Sequence, residues 1–151
     1  MSPVGSDDLY NEAILSAARA EPEPSLDGPP DLSLRRDNRF CGDRVSLDIA
    51  LDQDSGAITA IAPTVKGCLL VQASAQMLAE AAKGQDWDSV LAATKQLRAL
   101  LKEDGDAPDS PFGALEAFRP VAAHKSRHEC CLLPFEAIEA HCKAAQSAKK
   151  A

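Results

Sequence analysis

Aromatic side chains are scarce in this chain of 151 residues: four Phe, one Trp and one Tyr make up 4% of it. A core assembled from large rings is excluded, and small side chains must do much of the packing. Ala alone supplies 27 residues against 32 for Leu, Ile, Val and Phe together, a balance that favours helices. Basic charge is short as well. Sixteen Lys and Arg stand against 23 Asp and Glu, a net charge of −7, which argues against a nucleic-acid partner. No apolar run approaches the roughly 18 residues of a membrane span, so no membrane partner is expected. The start, Met1-Ser2-Pro3-Val4-Gly5, lacks the basic and apolar stretches of an export signal, and the expected location is cytoplasmic. Short Cys-x-x-Cys pairs are missing too. The five cysteines, Cys41, Cys68, Cys130, Cys131 and Cys142, are an odd number, and a reducing compartment turns them toward metal binding or thiol chemistry, or simple core packing.

What is present reads as strands first and helices after. Ser6 can cap an opening helix whose apolar face carries Leu9, Tyr10, Ala13, Ile14, Ala17 and Ala18. The Pro-rich stretch that follows makes residues 21–37 a linker-like loop. Val45, Leu47, Ile49 and Leu51 alternate with polar neighbours, the period of a half-buried strand. Asp54-Ser55-Gly56 turns the chain into a returning strand over 57–62, and a short third strand over 65–68 completes an antiparallel meander. Helices are then expected around Leu70–Ala81 and Trp87–Leu101. A loop follows over 103–111, then a short helix at Phe112–Phe118 and a last helix from about Cys131 to Ala148. The expectation is a single domain spanning 1–151, with flexible ends at 1–5 and 148–151. Its fold class is α+β: a small three-stranded antiparallel sheet packed against several helices.

The chemistry-bearing residues fall at element boundaries. Cys41-Gly42-Asp43 precedes the strongest strand, Cys68 follows Gly67 just before a helix, and Cys130 opens the last helix. A helix N-terminus favours the ionised thiol, as do Arg35, Arg36, Arg39 and Arg44 around the first motif and Lys125, Arg127 and His128 before the third. The same cations could guide an acidic partner surface. Three thiols and one carboxylate can supply a tetrahedral Zn²⁺ site or hold part of an iron–sulfur cluster. Cys131 is an alternate to Cys130, and His128 a substitute ligand. Cys142 reads as core, His141 as solvated, and Ser74 as a local packing or capping residue.

These motifs resemble those of the U-type iron–sulfur cluster assembly proteins, the IscU, NifU N-terminal and SufU family. The resemblance rests on Cys41-Gly42-Asp43-Arg44-Val45, on Gly67-Cys68 followed by Gln72-Ala73-Ser74-Ala75, and on Arg127-x-x-Cys130 with Leu133, Ala137 and Ile138 behind it. The stretch from Gly84 to Phe118, and Arg127 three residues before Cys130, resemble the SufU branch most. The resemblance implies one zinc ion on Cys41, Asp43, Cys68 and Cys130, with iron or a transient [2Fe–2S] cluster as the other occupants. It implies a pyridoxal-phosphate cysteine desulfurase of the SufS kind as partner, and a downstream iron–sulfur carrier or apo-protein as recipient. Cys41 is then the persulfide acceptor, in a sulfurtransferase-like acceptor rather than a stand-alone enzyme. A cluster scaffold on the same ligands, with Cys130 as acceptor, and a member with a purely structural zinc are the alternatives.

Overall fold

The structure, a computed structural model, describes residues 12–19, 26, 28–38, 42–109 and 111–150, with side chains described through residue 145. Helix α1 (Glu12–Arg19) is followed by strands β1 (Leu32–Asn38), β2 (Asp43–Leu51) and β3 (Ile58–Lys66). Helices α2 (Leu69–Ala81) and α3 (Trp87–Glu103), two 3₁₀ segments (Phe112–Ala123 and Lys125–Arg127) and helix α4 (His128–Lys150) complete the order. The sheet is antiparallel with order β1-β2-β3. The fold is therefore α+β, with a three-stranded antiparallel sheet and several helices, as the sequence indicates.

The strands differ from expectation in two places. Residues 32–38, expected within the linker-like loop 21–37, form β1, pairing Leu32 with Ile49 through to Asn38 with Asp43. The alternation of Leu32, Leu34 and Arg36 with exposed Ser33, Arg35 and Asp37 is a strand signal, but the charges obscure it. The runs at 57–62 and 65–68, expected as two strands, are one continuous β3. Pro63 does not break it, because β3 is an edge strand and a missing N–H is tolerated there. Cys68 itself lies beyond the strand.

Packing follows the strand and helix periods. Val45, Leu47 and Ile49 of β2 are fully buried and meet Ile58 and Ile61 of β3 on the inner face. Helix α2 is buried nearly all round and packs on α1, β3 and α4. Asp86 caps α3 by accepting the Ser89 N–H at 2.9 Å, and Asp104 ends it in the left-handed conformation, φ 53°. Arg119 then pins the expected 103–111 loop, donating to Asp104, to the Gly105 carbonyl and to Glu116. The expected short helix at Phe112–Phe118 is longer and of the 3₁₀ type, extending to Ala123. It buries Phe112, Leu115, Phe118 and Val121. Phe118→Ala should cost about 3–5 kcal/mol in chemical denaturation, the usual penalty for emptying a fully buried aromatic site. The last helix begins at His128, three residues earlier than expected, and continues to Lys150 past the expected end at Ala148. The expected ends 1–5, Ser6, Leu9 and Tyr10 lie outside the described residues, and among the described residues no helix is long and apolar enough to cross a membrane.

Candidate metal centre

Three elements converge at one end of the sheet. Asp43 is the first residue of β2 and is only 5% exposed. Cys68 is the N-cap of α2, held in an extended conformation at φ −73° and ψ 171°. Cys130 lies in the first turn of α4 and is fully buried. One donor atom from each of Asp43, Cys68 and Cys130 falls within 4.8 Å of the other two. The carboxylate joins all three: Oδ1 accepts the Cys68 backbone N–H at 3.3 Å, and Oδ2 accepts the Cys130 thiol proton at 3.4 Å.

Gly67 makes that approach possible, a role the sequence analysis did not assign. A Cβ at this position would sit 2.6 Å from Asp43 Oδ1 and 3.0 Å from its Cγ. Only a residue without a side chain lets the turn before α2 close over the carboxylate.

Cys41 lies outside the described residues. It is two positions before Asp43 in sequence, and the Gly42 N–H, donating to the Asn38 carbonyl at 2.8 Å, ties the β1–β2 connection. Cys131 is fully buried and stands outside the three-residue cluster. His128 is not among the clustered donors either: its Nε2 faces the Ala122 carbonyl at 3.0 Å. Cys142 is half-buried against the core, and His141, expected in solvent, packs tilted against Trp87 with ring centroids 5.5 Å apart. The expected basic rim is partly neutralised, with Arg35 and Arg44 on Asp37 and Arg36 reaching Glu136 of α4.

The two thiols of the cluster are electrostatically unequal. Cys68 is lowered from 9.0 to about 6, chiefly because the single Cys130 thiol proton can turn from Asp43 to the Cys68 sulfur. Burial opposes that shift, the Val71 and Leu70 amides at the head of α2 favour the anion, and Asp43 disfavours it. Cys130 is pushed far up, because its proton is shared with the Cys68 thiolate and because burial and Asp43 add to the cost of a second charge. Cys131 is raised by burial. Without a cation, the first negative charge of the thiol pair favours Cys68 and a second at Cys130 is disfavoured.

This donor set fits a zinc ion. Tetrahedral zinc takes sulfur at about 2.3 Å and oxygen at about 2.0–2.2 Å, which puts neighbouring donors about 3.6 Å apart. The 3.4 Å between Cys130 Sγ and Asp43 Oδ2 is close to that edge length. A divalent ion would replace the shared thiol proton and relieve the charge crowding that keeps Cys130 protonated. Among the described residues the cluster offers three donors, one short of a closed structural site.

The likeness to known proteins covers the sheet and all three clustered donors. Residues 29–131 match the NifU-like N terminal domain. The chain belongs to that family. It is 31% identical over 137 residues to the zinc-dependent sulfurtransferase SufU of Bacillus subtilis, covering 88% of each. It is 27% identical over 124 residues to the iron–sulfur cluster assembly scaffold protein IscU of Streptococcus pyogenes, covering 82% of this chain and 76% of that protein. Among solved structures, the N-terminal NifU-like protein of Brucella abortus superposes with a TM-score of 0.80 at 33% identity, over 87% of this chain and 90% of that one. FiSufU of Fervidobacterium Islandicum shares the fold, with a TM-score of 0.77 at 24% identity over 89% and 97% of the two chains.

Proposed function

We propose that this protein serves iron–sulfur cluster assembly by accepting persulfide sulfur from a cysteine desulfurase at a zinc site formed by Cys41, Asp43, Cys68 and Cys130. The observation that carries the reading is the convergence of Asp43, Cys68 and Cys130 donors within 4.8 Å. Chain connectivity supports Cys41 as the fourth ligand, since two residues span at most about 7 Å from Asp43. The likeness to a zinc-dependent sulfurtransferase supports zinc over other ions.

Zinc, when bound, keeps its coordinating sulfurs deprotonated at neutral pH. A single carboxylate among thiolates is the harder ligand, which suits a site that must open. In the transfer step the Cys41 thiolate attacks the terminal sulfur of the desulfurase persulfide. A new S–S bond forms on Cys41, the partner's S–S bond breaks, and the electron pair leaves on the partner's cysteine thiolate. No outside oxidant or reductant is needed. The sulfur then passes to a downstream iron–sulfur carrier or apo-protein in the cytoplasm.

The test mixes the zinc-loaded protein with a SufS-type, pyridoxal-phosphate desulfurase and L-cysteine, and reads added sulfur on each cysteine by mass spectrometry. Wild type should gain one sulfur on Cys41, and Cys41→Ala should gain none while keeping its fold. Transfer undiminished in Cys41→Ala rejects Cys41 as acceptor. Sulfur found on Cys130, together with iron and acid-labile sulfide in the purified protein, would favour the cluster-scaffold reading, which the likeness to an IscU scaffold protein supports.

A further inference from the structure

Ser74 is fully buried in the middle of α2, yet its hydroxyl does not bond within its own helix. A buried Ser or Thr in a helix usually donates to the carbonyl four residues back. Thr94 of α3 does so, reaching the Val90 carbonyl at 2.8 Å. Ser74 Oγ instead donates across the core to the Cys131 carbonyl of α4 at 2.5 Å, between residues 57 apart in sequence.

A carbonyl oxygen has two lone pairs, so the Cys131 carbonyl can take the Ser74 hydroxyl alongside a helical N–H. Pro134 lies inside this helix and has no N–H, so the Cys130 carbonyl lacks its helical donor, and the ring crowds that same turn. Small buried residues on both helices, Ala73 and Ala75 on α2 and Ala137 on α4, accompany the close packing of the pair.

We propose that Ser74 is a positioning residue that sets the separation of the Cys68 and Cys130 sulfurs, an inference that rests on the metal-site reading of that pair. Ser74 stands six residues after Cys68, about 9 Å along the helix. Its acceptor is the residue next to Cys130. One hydrogen bond therefore closes a ring running from Cys68 through α2 to Ser74, across to Cys131 and on to Cys130. Metal bonds tolerate errors of only about 0.2 Å, so a slight slip of α2 along α4 would misplace one sulfur relative to the other.

The test compares Ser74→Ala with Thr94→Val, which removes an equally buried hydroxyl away from the cluster. Ala is a better helix former than Ser, so Ser74→Ala is expected to fold. In chelator competition, Ser74→Ala should bind zinc about 10–100-fold more weakly, the usual effect of losing a support for a metal ligand. Its cobalt-substituted form should show shifted thiolate-to-metal bands, while Thr94→Val leaves both readouts as in wild type. A Ser74→Ala protein that loses stability but keeps wild-type affinity and spectrum would overturn the proposal, as would equal effects in both variants. A second readout needs no metal: in the metal-free protein, diamide should form the Cys68–Cys130 disulfide several-fold more slowly in Ser74→Ala. If wild type binds no zinc, the metal reading fails by itself; if the disulfide rate is also unchanged by Ser74→Ala, the positioning role fails too.

Discussion

Cys130→Ala should remove most of the reactivity of Cys68 at neutral pH. In the metal-free protein Cys68 is lowered to about 6 chiefly by the thiol proton it receives from Cys130. Deleting that donor leaves burial and the Asp43 charge, which both disfavour the thiolate, opposed only by the Val71 and Leu70 amides of α2. The value should climb back toward the ordinary 9.0. At pH 7 a group at 6 is about nine-tenths ionised and a group near 9 about one-hundredth, so alkylation at Cys68 should slow by nearly two orders of magnitude. The sign is plain: the thiolate is lost as pH falls through 6 in wild type, and through a higher value in the variant. A pH profile of iodoacetamide labelling, read at Cys68 by peptide mass, checks it. A midpoint still near 6 in Cys130→Ala would show that the helix head, not the second thiol, holds the charge.

Gly67→Ala should disable the site while sparing the core. The added methyl would meet the Asp43 carboxylate at 2.6 Å, far inside contact distance, so the carboxylate or the turn must move. Either movement breaks the bonds by which Asp43 gathers Cys68 and Cys130. Gly67 carries no core contact, so the melting transition should shift little, whereas zinc affinity should fall about 10–100-fold or more. Isothermal titration of metal into Gly67→Ala and wild type, alongside thermal melts, separates the two effects. Equal affinities would mean that Asp43 is not a ligand.

The contrast between these two residues marks what can be read in a sequence of this kind. The order of the three motifs, each at an element boundary, was legible because strand and helix periods are local: Val45, Leu47 and Ile49 alternate, and Leu70, Ser74 and Leu78 recur at helical spacing. Gly67 was legible only as the neighbour of Cys68, since its role depends on a carboxylate 24 positions away in the chain. Ser74 looked like a local residue for the same reason, and its partner proved to be on α4. The Cys130 and Cys131 pair is a question of helical phase. Starting α4 at His128 rather than Cys131 turns Cys130 toward Asp43 and leaves its neighbour in the core, because successive helical residues point about 100° apart. Strand β1 was hidden by composition: Arg35, Arg36 and Asp37 look like a solvated loop until Asp37, Glu136 and the β2 backbone are there to pair with them.

The proposed site holds one metal ion by sulfur and oxygen together. X-ray absorption at the zinc edge, on protein loaded with a single equivalent, measures that directly. The expected result is a first shell of three sulfurs near 2.3 Å and one oxygen near 2.0 Å, with one sulfur lost in each of Cys41→Ser, Cys68→Ser and Cys130→Ser. A shell built of nitrogen and water oxygens, unaltered by those three substitutions, would contradict it.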